Sequence, residues 1–392
     1  MEVSLRSFCK YLFILVVLLV SCSEEKKETA HSEPEFHPDT NVRYAKRFVI
    51  GNLIKSQTGE SYRTIYLYGD RYKTDATATF ILYPKEKPKP DLIKDAHYVP
   101  VPVSNIACMG SVYVSMLHHL NLQDKIIAID NADYYNDKFI IERVASKKIK
   151  EIGKGPEVSV ESTLVLHPEL LLLFGMGDPK KDVNEKILNS GIPVAITLDH
   201  LEEHPLARAE WIKFIAAFFD KELLADSLFR ETEKNYNSLM SLADTVRYKP
   251  KVLTEIRYAD AWYVPGGDSF MAHLLKDAGA DYIWKDEHRS GSIPLNFEEV
   301  YMKAKNADFW LNLFINVNSK KDLLSFDERY KLFRPFKTGN LYNNTNIVND
   351  KGYSDYWATG MSNPDELLKD LIRIFHPQLL PDYQLKYYKK IE

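Results

Sequence analysis

Ser159-Val-Glu-Ser-Thr-Leu-Val-Leu-His-Pro-Glu-Leu-Leu-Leu-Leu173 and Asn296-Phe-Glu-Glu-Val-Tyr-Met-Lys-Ala-Lys-Asn-Ala-Asp-Phe-Trp-Leu311 are two renderings of one phrase, a capped helix running into a buried strand. Ser159 and Asn296 are good N-caps, because a short side-chain oxygen accepts one of the unpaired N–H groups of the first helical turn. That register places Glu161 and Glu298 at the same helical position, N2. The strands that follow are apolar without alternation, which predicts a parallel sheet covered by helices on both faces. The phrase occurs once in each half of the chain.

The same grammar extends outward. Tyr98–Val103 reads as the first strand of an α/β lobe, with Ser104 and Asn105 opening a loop, Ser111–Leu120 a helix and Ile126–Asp130 the next strand. Glu169–Phe174 and Gly191–Thr197 are further strands, with a helix at Val183–Asn189 between them. From Leu206 to Val246 there is hardly a breaker, and Trp211, Phe214, Ile215, Phe218 and Phe219 recur at helical spacing. This predicts one long helix or two abutting ones, a rigid spine after which βα grammar restarts at Lys251–Ile256. Upstream, Arg47–Ile50, Tyr62–Tyr68 and Ala76–Tyr83 are short β-rich pieces between turn residues. The fold class is therefore α/β: two parallel-sheet lobes bridged by a long rigid helix, with a small N-terminal β extension. The expected divisions are 1–22 signal, 23–40 tether, 41–95 extension, 96–203 first lobe, 204–248 connecting helix and 249–392 second lobe.

The chain opens with Arg6 and Lys10, an apolar run Tyr11–Val20 and then Ser21-Cys22. The run is about half of what spans a bilayer. Leu19-Val-Ser-Cys22 resembles a bacterial lipoprotein signal, which implies cleavage before Cys22, lipidation of its sulfur and a membrane-held body; the plainer alternative is a secretion signal. Either way the body is exported, to the periplasmic or cell-surface side. With 51 Lys and Arg against 55 Asp and Glu, nothing suggests a nucleic-acid footprint. Cys108 is left without an intramolecular partner, and no Cys-x-x-Cys pair offers thiolate ligands to zinc. His118 and His119 are adjacent on a helix and point about 100° apart, a poor chelating pair.

The echo, its order and its surroundings carry a family likeness. With Gly191-Ile-Pro-Val194 entering a strand and Leu274-Leu-Lys-Asp-Ala-Gly-Ala-Asp-Tyr282, the region from Tyr98 onward resembles the substrate-binding proteins that serve ABC importers of cobalamin, siderophores and haem. The resemblance implies two lobes on one long helix with the ligand cleft between them, a monomer, no intrinsic cofactor, a metal complex (ferric siderophore, haem or cobalamin) as ligand, and a permease with its ATPase as partners. It also implies that Glu161 and Glu298 meet arginines of the permease; read without the family, each is an acid stabilised by its helix dipole.

Loops after the carboxyl ends of parallel strands line the crevice of an open α/β sheet. That rule selects Asn105, Met109, Tyr134, Tyr135 and Met176 in the first half. In the second it selects Arg257, Trp262, Tyr263, His288, Arg289, Tyr356 and Trp357, with His288 open as an axial ligand to a metal macrocycle. A catalytic site is not expected: no Gly-x-Ser-x-Gly elbow, His-Glu-x-x-His or phosphate loop is present. The alternative is an exported, surface-anchored hydrolase of glycans or esters.

Overall fold

The computed structural model describes residues 34–55, 58–70, 75–154 and 157–392. Cys22, the signal and most of the tether lie outside the described residues. Five strands come first: β1 (Glu35–Pro38), β2 (Phe48–Ile54), β3 (Ser61–Tyr68), β4 (Ala76–Pro84) and β5 (His97–Val101), hydrogen-bonded in that order. All joins are antiparallel except β4–β5. The segment around Tyr98–Val103 thus closes the N-terminal sheet rather than opening the first lobe. Pro100 and Pro102 lack an N–H, which confines such a strand to an edge.

The first lobe starts at β6 (Ile106–Met109) and continues through α1 (Ser111–His119), β7 (Ile126–Ile129), α2 (Lys138–Ala145) and β8 (Lys150–Glu151). A short antiparallel pair, β9 (Gly153–Lys154) and β10 (Glu157–Val158), leads to α3 (Val160–Leu166) and β11 (Leu170–Phe174). Two single-turn helices, α4 (Pro179–Asp182) and α5 (Glu185–Leu188), replace the one helix expected at 183–189, because Val183 is extended. β12 (Val194–Thr197) completes a parallel sheet in the order β12-β11-β6-β7-β8.

The spine is three helices: α6 (Pro205–Ala209), α7 (Trp211–Ala217) and the 22-residue α8 (Glu222–Ala243). The long helix is present, but it begins later than expected, because Asp220 in the left-handed region (φ 54) turns the chain between α7 and α8. α8 buries Ala225, Phe229, Tyr236 and Ala243.

The second lobe holds β13 (Lys251–Thr254), β14 (Arg257–Tyr258), β15 (Ala261–Pro265), α9 (Phe270–Asp277), β16 (Asp281–Tyr282), β17 (Ser292–Leu295), α10 (Phe297–Ala304) and β18 (Phe309–Leu311). It ends with α11 (Lys320–Phe326), α12 (Arg334–Thr338), β19 (Leu341–Asn343), α13 (Thr359–Ser362), α14 (Pro364–Phe375), packed along α8, and β20 (Lys389–Lys390). Its main sheet runs β16-β13-β18-β19-β20, parallel except at β20, and β14-β15-β17 form a separate antiparallel sheet.

The repeated phrase has the same construction in both lobes. The Ser159 hydroxyl accepts from Ser162 N, and Asn296 Oδ1 from Glu299 N; Glu299 returns the bond to complete a capping box. The acid ahead of each strand staples the amino edge of its sheet. Glu169 Oε2 accepts from Ser104 N at 2.8 Å, and Asp308 Oδ2 from Lys251 N at 2.8 Å.

The N-terminal sheet is welded to the start of the spine and to the segment that enters it from the first lobe. Phe48 and Phe80 pack edge-on against Trp211 and Phe218, and belong to the core that runs through both lobes. Two buried carboxylates grip its entering backbone: Glu210 accepts from the N–H groups of Arg43, Tyr44 and Ala45, and Glu202 from those of Lys46 and Arg47. Burial pushes the Glu202 carboxyl up to about 7, against the pull of these donors and of Trp211 Nε1. Cys108 is buried in β6, and burial holds its thiol well above the usual range.

Candidate functional site

A cleft of about 560 Å³ opens where the first lobe's strands end. Met109 closes β6 and is followed by Gly110 at φ 139, where a Cβ would stand 2.9 Å from the Tyr113 ring; only glycine lets α1 begin that close to the strand. Asp130 follows β7, and Leu173 and Phe174 end β11. Arg208 on α6 reaches the cleft from the spine. Its Nε donates to Asp199 Oδ2 at 2.9 Å, and the Tyr113 hydroxyl donates to Asp199 Oδ1 at 2.6 Å, so a buried carboxylate fixes both side chains. Opposite stand Ile315, Tyr353, Ser354 and Trp357 of the second lobe. Aromatic and aliphatic walls with one fixed guanidinium suit a bulky, planar-faced ligand that carries an anionic group.

The lobes are tied at the cleft rim by protein–protein bonds. Asn349 Nδ2 donates to the carbonyls of Asp133 (2.7 Å) and Tyr135 (3.1 Å), while its Oδ1 accepts from Lys351 N and Tyr353 N. Asn136 Nδ2 donates to Tyr353 O at 3.1 Å, and the Tyr134 and Tyr353 rings meet at 4.8 Å.

Of the residues expected at the cleft, the structure brings Met109, Tyr134 and Trp357 to its lining. Met176 is 62% exposed on an adjoining groove of about 830 Å³, which also has Lys180 and Lys181 on its wall. Asn105 precedes β6 instead of following a strand, and its Oδ1 accepts from Glu169 N at the far edge of the sheet. Tyr135 is buried, donating its hydroxyl to Asp130 Oδ1 at 2.5 Å; burial holds both groups above their usual range. Trp262 and Tyr356 are fully buried: Trp262 stacks on Trp310 and donates Nε1–H to Thr254 O. Arg257 gives its backbone N–H to the Tyr330 hydroxyl, and Tyr263 is half exposed on β15, both away from the lining. His288 and Arg289 stand on an exposed loop, with His288 Nδ1 3.4 Å from Asp268 Oδ1.

Tyr113, Asp130, Phe174 and Arg208 were missed. Asp130 and Phe174 are the last residues of expected strands, so the carboxyl-end rule reaches them. Arg208 carries only one signal, a charge early in an apolar helical run. Among the described residues, no group of three or more His, Cys, Asp or Glu side chains stands ready to hold a metal ion, and no helix is long and apolar enough to cross a membrane. Glu161 and Glu298 are both exposed at N2 of their helices; Glu298 Oε1 lies 3.3 Å from Arg329 Nη1.

Residues 106–323 match the family described as periplasmic binding protein, and the chain belongs to that family of solute-binding proteins. An uncharacterized lipoprotein of Methanocaldococcus jannaschii is 25% identical over 375 residues, 89% of this chain and 85% of that protein. A second uncharacterized lipoprotein of the same organism is 24% identical over 409 residues, 97% of this chain and 99% of that protein. The periplasmic heme-binding protein RhuT of Roseiflexus sp. RS-1, in apo form, shares the fold with a TM-score of 0.53 at 19% identity, covering 71% of this chain and 99% of that one. A protein of an ABC-type Fe3+-hydroxamate transport system from Saccharomonospora viridis gives a TM-score of 0.54 at 15% identity, covering 70% and 94%.

Proposed function

We propose that this protein is an extracytoplasmic, lipid-anchored binding protein that captures an iron complex (siderophore or haem) or cobalamin and delivers it to an ABC importer. The observation that carries this reading is the cleft itself: Phe174, Tyr134, Tyr353 and Trp357 around one guanidinium, Arg208, that a buried carboxylate holds in place. Large conjugated or chelated ligands with carboxylate or amide edges match that combination of stacking surface and fixed cation. Solved relatives of the same fold are described as binding haem or serving hydroxamate transport, which supports the ligand class. Glu161 and Glu298, equivalent and exposed in the two lobes, are the residues we assign to the permease, and Cys22 is the residue we assign to the lipid.

The test is titration of protein lacking residues 1–22 with hemin, cyanocobalamin and ferrioxamine B, following absorbance and melting temperature. One-to-one binding is expected, and ligand at 100 times its Kd adds about 2.7 kcal/mol of stability. Silence with all three probes, beside turnover of an ester or glycan, would overturn the reading. Uptake by cells carrying the Glu161→Gln, Glu298→Gln double variant tests delivery: loss of uptake with unchanged affinity is expected.

A further inference from the structure

We propose that the N-terminal sheet positions one wall of the cleft and thereby decides which ligands the protein accepts; this deepens the binding function above and rests on it. The wall is the end of β11, Leu173 and Phe174, carried on the loop that follows it. The N–H groups of Met176, Gly177 and Asp178 all donate to Asp182 Oδ2, at 2.8, 2.8 and 3.0 Å, so the loop is folded around a single carboxylate oxygen. Phe174, just before it, packs on His200 with ring centres 4.1 Å apart. Leu173 and Phe174, the end of β11, line both the cleft and the adjoining groove, and Gly175 and Met176 line the groove, so the strand end and the loop it enters form the sill between two spaces of about 560 and 830 Å³. A ligand held in the cleft with a substituent reaching toward Lys180 or Lys181 must cross it.

The N-terminal sheet touches the sill from outside, backbone against backbone. A Cβ added at Gly177 would stand 2.9 Å from Gly69 Cα, and one added at Gly69 would stand 3.0 Å from Gly177 O. Neither neighbour is the end of a flexible side chain, so a substitution moves main chain. Gly69 is itself held, because Arg47 Nη1 donates to its carbonyl at 2.5 Å and the Arg47 N–H is bound by Glu202. Glu202, Arg47, Gly69 and Gly177 thus link the spine side of the first lobe, through the sheet, to the sill. The family match begins at residue 106, so this brace comes from a part of the chain that lies before it.

Gly69 lies outside the left-handed region, so its own backbone accepts a side chain and Gly69→Leu acts through the contact. Hydrogen exchange on the full body in the absence of ligand should show the amides of residues 176–178 opening about tenfold faster, with those of α10 in the other lobe unchanged. Titration with hemin, cyanocobalamin and ferrioxamine B should show the ratio of their affinities shifting by about tenfold, since a moved sill discriminates by ligand extent. Gly69→Ala should move both readouts in the same direction by less, and carries the test if the leucine variant does not fold. Exchange at 176–178 equal to wild type overturns the proposal. So does an equal loss for all three probes, which signals general destabilisation. If wild type binds none of the three, the binding reading fails, and the exchange result still decides whether the sheet sets the sill.

Discussion

The two lobes share a phrase and differ in how they meet the ligand. In each, a capped helix precedes a buried strand and an acid staples the amino edge of the sheet, through Glu169 in one and Asp308 in the other. At the carboxyl edge the likeness ends. The first lobe sends its strand ends straight into the cleft, as Met109, Asp130 and Phe174, and is braced by a further sheet. In the second, β14 and β15 fold back immediately after β13, pair with β17, and bury Trp262 on Trp310. Its contribution to the cleft comes from later loops, at Ile315 and Tyr353–Trp357. One lobe therefore supplies a fixed floor and wall, and the other an applied cover.

The sharpest way to break this contrast is Trp262→Ala. Loss of a fully buried indole should cost about 3–5 kcal/mol in denaturant unfolding while the folded fraction keeps its ligand affinity. An affinity loss without a stability loss would make Trp262 part of the wall. Next is Arg208→Gln made together with Asp199→Asn, so that no charge is left buried alone; titration should show about 2–3 kcal/mol less binding energy for an anionic ligand, the scale of a charged hydrogen bond.

The brace gives the first lobe a pH dependence of its own, beside the one that the second lobe owes to buried Glu255, whose carboxyl is pushed up to about 8 by burial. The folded-state pKa of Glu202 is raised, so its contribution is full below the unfolded value near 4.5 and is lost as pH rises through about 7. Stability should fall on the order of 2 kcal/mol between pH 5 and pH 7 relative to Glu202→Gln, measured by paired urea melts. In the cover, Trp357→Ala should weaken binding by about 1–2 kcal/mol, as for a partly exposed aromatic anchor, while Tyr263→Ala leaves it unchanged. Smallest of all, Glu161→Gln and Glu298→Gln should each shift unfolding by less than about 1 kcal/mol.

Sequence periodicity made the architecture legible because strands buried on both faces and caps at fixed offsets are local signals. Glu161 and Glu298 fall at N2 as the register requires. Two local errors have physical causes. Tyr98–Val103 has strand composition, yet its prolines assign it to a sheet edge, and that edge belongs to the extension. Asn105 followed from that misplaced strand. The carboxyl-end rule worked in the first lobe, where strands stop at the cleft, and failed for Trp262 and Tyr356, where an inserted antiparallel sheet and a tight turn carry aromatics inward. Arg208 was hidden because its role depends on Asp199 and Tyr113, neither of which any local pattern connects to it.

The Asn349 tie has a kinetic meaning. A side chain that bonds two carbonyls of the opposite lobe favours the arrangement in which floor and cover already face each other, using only the protein's own groups. When the competent conformer is the dominant one, the observed dissociation constant approaches the intrinsic one, since the two differ only by the competent fraction. Capture then proceeds as a single encounter whose rate rises in proportion to ligand concentration, without the plateau that a slow rearrangement imposes.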